Sequence, residues 1–339
     1  MTPASDSGAS NSRTSPAGAP PGRPGLPPAS RDAAPLARVA REGDYDRYLT
    51  TLFVPADRRP ALLALIALNL ELARIRDAVA EPMIGQIRLQ WWREAVEAAL
   101  AGTPRHHDVL EALSAARGHL RPAVLAAMID AREVELSAEP LSLAGFEAYA
   151  EGTAGALAEA MTAVLADGDG RRGAREDWVP SAAHESVIAR AARGDVTAHA
   201  ARESVIARAA RDVGTAFGIV GVLRATRFQA DRGRVLLPAD VLDESGTSVA
   251  AVQRLQAEPG LATAARRLAD IARDRLRRGR AAMRDVPRPA RAALLVGALT
   301  DAYLARLEAA NFDLLGADLT LSPLRKQLAV AWAAVRGRF

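Results

Sequence analysis

From Asp44 onward, apolar residues recur at i, i+3 and i+4 through most of the chain, the spacing of helices with one buried face. The segments marked in this way are 58–80, 85–101, 107–117, 121–137, 143–165, 263–283, 286–309 and 323–336. No convincing period-two run appears, and no Asn-Gly or Asp-Gly turn joins alternating segments. The pattern predicts an all-α protein.

Residues 58–80, "RRPALLALIALNLELARIRDAVA", are apolar on nearly every side, which predicts a helix in the middle of the core. Its polar residues Asn69, Glu71, Arg74, Arg76 and Asp77 gather in the C-terminal half. Polar groups on a buried helix must face a cavity or one another. Pro82 ends this helix, and Trp91 and Trp92 follow on the next, where packing in the core is the expected use.

The N-terminus departs from this pattern. Eight of the twenty prolines precede residue 36, within a Gly- and Ser-rich stretch that lacks the apolar surface to offset its ordering entropy. Residues 1–40 are expected to be a disordered tail, and 41–339 a single domain. "ESVIARAAR" occurs at 185–193 and again at 203–211, an offset of 18 residues or five helical turns, after a loop-like stretch that begins near 167. Gly194 and Asp195 between the copies predict a break there, whereas one continuous helix would keep both copies on the same face. The last segment, "SPLRKQLAVAWAAVRGRF", is basic at both ends with apolar residues between. It predicts a terminal helix packed in the core or, alternatively, one that touches anionic bilayers.

Composition narrows the chemistry. The chain has no cysteine, which removes disulfides, thiolate catalysis and sulfur-bound metals. The net charge of +4 is spread along the chain and gives no reason to expect a nucleic-acid partner. Only one of the 44 basic residues is lysine, a skew that reads as compositional bias and weakens the meaning of any single arginine. No uncharged apolar run is long enough to span a bilayer, and a cytoplasmic protein is expected, peripheral on a membrane at most.

Three clusters could carry chemistry. In the first, Glu71 and Arg74, and likewise Asp77 and Glu81, stand at spacings that form ion pairs within a helix. In the second, "MIDAREVEL", Asp130 and Glu133 lie three apart, a spacing that could share a cation but equally suits salt bridges to Arg132 or a neighbouring helix. It leads to "AYAEGTAG", where Gly152 and Gly155 allow a close helix approach or a kink. The third, "LRATRFQADRGRVLLP", follows an apolar helix and carries Arg224, Arg227, Asp231, Arg232 and Arg234 before a Leu-Leu-Pro stop. One acid among four arginines is a poor metal site and a reasonable anion site. His106 and His107 are adjacent, which does not suit chelation.

In this order the clusters, together with "YLTTLFVPADRRPALLALIALN" and "WWREAV", resemble the squalene/phytoene synthase superfamily over about residues 40–335. The resemblance implies a single helical bundle of the isoprenoid-synthase type around a central cavity. Active members hold Mg²⁺ against prenyl diphosphates with two aspartate-rich segments. Here the places of the first hold Ala73, Arg74 and Asp77, and those of the second hold Ala225 and Gln229. The chain therefore looks closer to a branch that keeps the fold without the acids, represented by a mitochondrial assembly factor for respiratory complex I and its bacterial relatives.

This implies no catalytic residue, no metal and no cofactor, with complex I subunits as partners and peripheral membrane contact. It also implies a degenerate diphosphate site, built from Glu71, Arg74, Arg76, Asp77, Asp130, Glu133, Arg224, Arg227 and Asp231, that takes an isoprenoid or acidic lipid. Two alternatives stay open. One is a working Mg²⁺-dependent prenyltransferase, with Asp77, Asp130, Glu133 and Asp231 as improvised ligands. The other is a protein that only binds isoprenoids.

Overall fold

The computed structural model describes residues 33–79, 81–166 and 185–337, with side chains at 34–79, 81–166 and 204–337. Among the described residues there are helices and loops and no strand, so the all-α expectation holds. The α-helices run, in order, α1 Ala33–Gly43, α2 Tyr45–Thr51, α3 Arg59–Arg74, α4 Pro82–Ala101, α5 Asp108–Ala116, α6 Pro122–Asp130 and α7 Leu143–Ala150. There follow α8 Ala156–Ala166, α9 Glu185–Ala230, α10 Ala239–Glu244, α11 Val249–Gln253, α12 Pro259–Ala281, α13 Val296–Ala309 and α14 Pro323–Arg336.

Helix α3 lies in the core, as its all-round apolar sequence requires: every residue from Leu62 to Leu68 is buried. It packs on α1, α5 and α8, while α9 packs on α8, α12 and α13. Several predicted helices are split by tighter turns. Residues 121–137 form α6 and a 3₁₀ stretch from Ala131 to Leu136, and the helix expected at 286–309 begins with 3₁₀ turns at Pro289–Leu295.

Two boundaries are corrected. The domain starts earlier than residue 41, because α1 places Leu36 and Ala40 in the core; residues 1–32 lie outside the described residues. The break expected at Gly194 is absent, and α9 runs without interruption from Glu185 to Ala230. One glycine costs a helix only about 1 kcal/mol, which does not end it.

Between α7 and α8 the helix widens into a π turn at Glu151–Gly155, where one extra residue per turn re-aims the side chains. The glycines here do both things the sequence allows. A Cβ on Gly152 would stand 2.6 Å from the Ala131 Cβ, and one on Gly155 would stand 2.7 Å from the Thr215 Oγ1. Gly214 of α9 meets them from the other side, its missing Cβ 2.9 Å from the Gly155 Cα. The near contact of α9 with this turn closes one wall of a cavity.

Candidate functional site

The cavity has a volume of about 220 Å³ and lies among α2, α3, α7, the π turn, α9 and the 3₁₀ stretch after α6. Ala225 and Gln229, which the resemblance sets at the places of the second aspartate pair, are on its wall. So are Arg47, Asn69, Arg132 and Tyr149, with Phe217 and Gly221 on the apolar side.

The polar wall is one network. Arg132 donates from Nη2 to Asn69 Oδ1 at 2.8 Å and from Nη1 to Glu135 Oε1 at 2.5 Å. Tyr149 donates its hydroxyl to the same carboxylate oxygen at 2.6 Å. Burial, and then the Glu135 charge, push the Tyr149 phenol well above its ordinary range, so it stays a neutral donor. The buried Arg132 Nε has no acceptor among the described residues. Arg47 pairs with Asp44 at 2.6 Å and lies 4.7 Å from the centre of the Phe217 ring. Asn69 faces the cavity, as a polar residue on a buried helix must.

The nine residues singled out from sequence are dispersed. Arg74 is exposed and pairs with Glu71 at 3.3 Å. Arg76 donates to the Val79 carbonyl at 3.3 Å. Asp77, the one remaining acid of the first segment, is ion-paired to Arg234. The charge of Arg234 opposes the rise in the Tyr149 pKa.

Asp130 and Glu133 do come together, but on Arg93 of α4, at 2.8 and 2.5 Å, where they form the salt-bridged reading of that cluster. Arg224 stacks 3.5 Å from the centre of the Tyr303 ring and stands 3.7 Å from Asp46. Arg227 donates to the Leu315 carbonyl, and Asp231 is exposed. None of the nine is among the residues that line the cavity. Sequence reasoning missed Arg47, Arg132, Glu135 and Tyr149, whose roles depend on contacts between helices. The signal it had was Asn69, a polar residue in an otherwise apolar stretch.

These residues do not fit a Mg²⁺ centre. Such a centre needs several convergent oxygen anions. Here the cavity is lined by no carboxylate, Asp77 is held by Arg234, and Asp130 and Glu133 are held by Arg93. Among the described residues no three of His, Asp or Glu come together as a metal-binding group. The cavity can instead receive an anionic or neutral polar group beside its guanidinium groups, with an apolar body against Phe217 and Gly221.

A bundle of helices with this cavity is of the all-α isoprenoid-synthase type. The family model for squalene/phytoene synthase matches residues 40–325, and the chain belongs to that family. In overall fold it is similar to a dehydrosqualene synthase, with a TM-score of 0.70 at 16% identity over 90% of this chain and 96% of that one. It is likewise similar to the squalene synthase HpnC of Alicyclobacillus acidocaldarius, with a TM-score of 0.64 at 18% identity over 83% of this chain and 95% of that one.

In sequence it is similar to proteins named NADH dehydrogenase (ubiquinone) complex I, assembly factor 6. The one from Bos taurus is 31% identical over 293 residues, 84% of this chain and 78% of that protein. The one from Mus musculus is 30% identical over 279 residues, 81% of this chain and 74% of that protein.

Proposed function

We propose that this protein is a non-catalytic member of the squalene/phytoene synthase family that aids assembly of respiratory NADH:ubiquinone oxidoreductase. The observation that carries this reading is the chemistry of the cavity wall, which has no carboxylate among its lining residues and carries Ala225 and Gln229, while Asp77, Asp130 and Glu133 lie outside it, paired with arginines. Without convergent carboxylates, Mg²⁺ has no seat from which to offset the charge of a departing diphosphate. The assembly role comes from the relatives named complex I assembly factor 6. The partners are then complex I subunits, at the membrane that houses the complex. The proposed contact with that membrane is peripheral; among the described residues no helix is long and apolar enough to cross a membrane.

The cavity itself, in this reading, holds the head of a phosphorylated isoprenoid or an acidic lipid without metal. Arg132 and Arg47 supply the positive charge, and Tyr149 and Asn69 complete the polar wall.

The test is calorimetric titration with farnesyl diphosphate, in EDTA and in excess Mg²⁺, run beside an assay for released diphosphate. Equal affinity in the two buffers and no release support the reading. Mg²⁺-dependent turnover restores the prenyltransferase, and the absence of any binding removes the ligand while leaving the assembly role to be tested in cells.

A further inference from the structure

Helix α14 turns its large apolar side chains outward. Leu324, Leu328, Trp332 and Val335 are 64%, 61%, 60% and 83% exposed, and their spacing puts them on one face. Toward the core the helix buries only Val330 and Ala333. Of the two readings open for this helix, packing in the core takes Val330 and Ala333 and leaves the large apolar residues outside. Singly exposed apolar residues are ordinary, but four in one stripe are not.

The stripe continues off the helix. Val335 and Arg336 share an open groove of about 520 Å³ with Phe53, Met283, Arg288 and Arg291. Phe53 and its neighbour Leu52 are exposed as well.

The charges beside the stripe have one sign. Helix α14 contains Arg325, Lys326 and Arg336 and no acid. Lys326 is committed to Asp46 at 2.8 Å, which leaves Arg325 and Arg336 exposed beside the apolar row. The Arg336 guanidinium lies 4.2 Å from the centre of the Trp332 ring. Ser322 caps the first turn by accepting from Arg325 N, and Gly337 ends the helix in the left-handed region, so it is a finished element with one face uncovered among the described residues.

We propose that this face of α14, with Phe53 and Leu52, docks on the surface of an anionic phospholipid bilayer. The stripe would enter the boundary between headgroups and acyl chains, where indole rings are favoured. Arg325, Arg336 and the groove arginines Arg288 and Arg291 would meet lipid phosphates. Charge favours this occupant over a second copy of the chain, because a two-fold contact through the stripe would set Arg325 and Arg336 against their own equivalents. The docking surface stands apart from the cavity and holds whatever the cavity binds. It rests on the proposed function only for which membrane is met.

The experiment uses the full chain with two sets of vesicles, pure phosphatidylcholine and phosphatidylcholine with about one-third phosphatidylglycerol. Sedimentation and tryptophan emission are read on the wild type, Leu328→Ser/Trp332→Ser, Arg325→Gln/Arg336→Gln and Trp332→Phe. The expected result is binding to the anionic vesicles alone, weakened about tenfold or more in each double variant. A blue shift of emission should vanish in Trp332→Phe. All four positions are exposed, and an unchanged melting temperature in the charge variant separates lost docking from lost folding. Absence of binding, equal binding to both vesicles, or affinity unchanged in both double variants overturns the proposal. So does a dimer in solution that the same substitutions dissolve.

Discussion

Lys326, the only lysine in the chain, sets its Nζ 2.8 Å from Oδ1 of Asp46, joining the first turn of α14 to helix α2. The other oxygen of Asp46 accepts from the Tyr303 hydroxyl at 2.7 Å, and Arg224 lies across that ring. One carboxylate thus answers a lysine, an arginine and a phenol in a mostly buried place. Removing it leaves two cations facing each other without a counter-charge. Asp46→Ala is expected to cost about 3–5 kcal/mol. Lys326→Met should cost about 1–2 kcal/mol, since Asp46 keeps Tyr303 and Arg224. Urea denaturation of both variants measures the difference, and equal losses would contradict this division of roles.

The near contact between α9 and the π turn predicts opposite outcomes for two glycines one helix apart in role. Gly214 has no room for a Cβ, with the Ala158 Cβ 2.6 Å away and the Ala154 carbonyl nearer still. Gly214→Val should therefore destabilise by about 3 kcal/mol. Gly221, on the same helix, has nothing within 4 Å of its Cβ position and lines the cavity. Gly221→Ala should stabilise by about 0.5–1 kcal/mol through helix propensity. Gly221→Leu should stay folded and abolish ligand binding by filling the cavity. Thermal melts with and without farnesyl diphosphate read all three, and a ligand-induced shift that survives in Gly221→Leu would place the ligand elsewhere.

Two phenols give the protein an alkaline edge. Burial pushes both Tyr149 and Tyr303 up; Glu135 adds to this at Tyr149, while Arg224 opposes and Asp46 adds at Tyr303. Their folded values exceed the unfolded value of about 10. Above that pH the unfolded chain releases protons that the folded chain keeps. Their contribution is complete below pH of about 10 and falls as pH rises toward the folded values. Urea midpoints between neutral pH and about pH 11 should decline, and the decline should flatten in Tyr149→Phe/Tyr303→Phe. A flat profile in the wild type would contradict it.

Much of this was legible in the chain because it is local. The apolar run at 62–68 announces a buried helix, and Gly152 and Gly155 announce a close approach. The resemblance sets Ala225 and Gln229 where active members carry acids. The cavity wall was not legible, because Arg132 meets Asn69 across 63 positions, and neither was the pairing of Arg93 with Asp130 across 37. Apolar spacing also carries no sign of direction. Leu324, Leu328 and Trp332 have the periodicity of a core face, yet it is the small opposite face of α14, Val330 and Ala333, that the core takes.

The central claim is that the fold now serves assembly of complex I without prenyl transfer. Its most direct test is deletion of the gene in the source organism, with blue-native electrophoresis of membranes, in-gel NADH dehydrogenase staining, and extraction of carotenoids and hopanoids from the same cells. The account predicts reduced assembled complex I, restored by the wild-type gene, with isoprenoid products at wild-type levels. Normal complex I together with loss of squalene- or phytoene-derived products would contradict it.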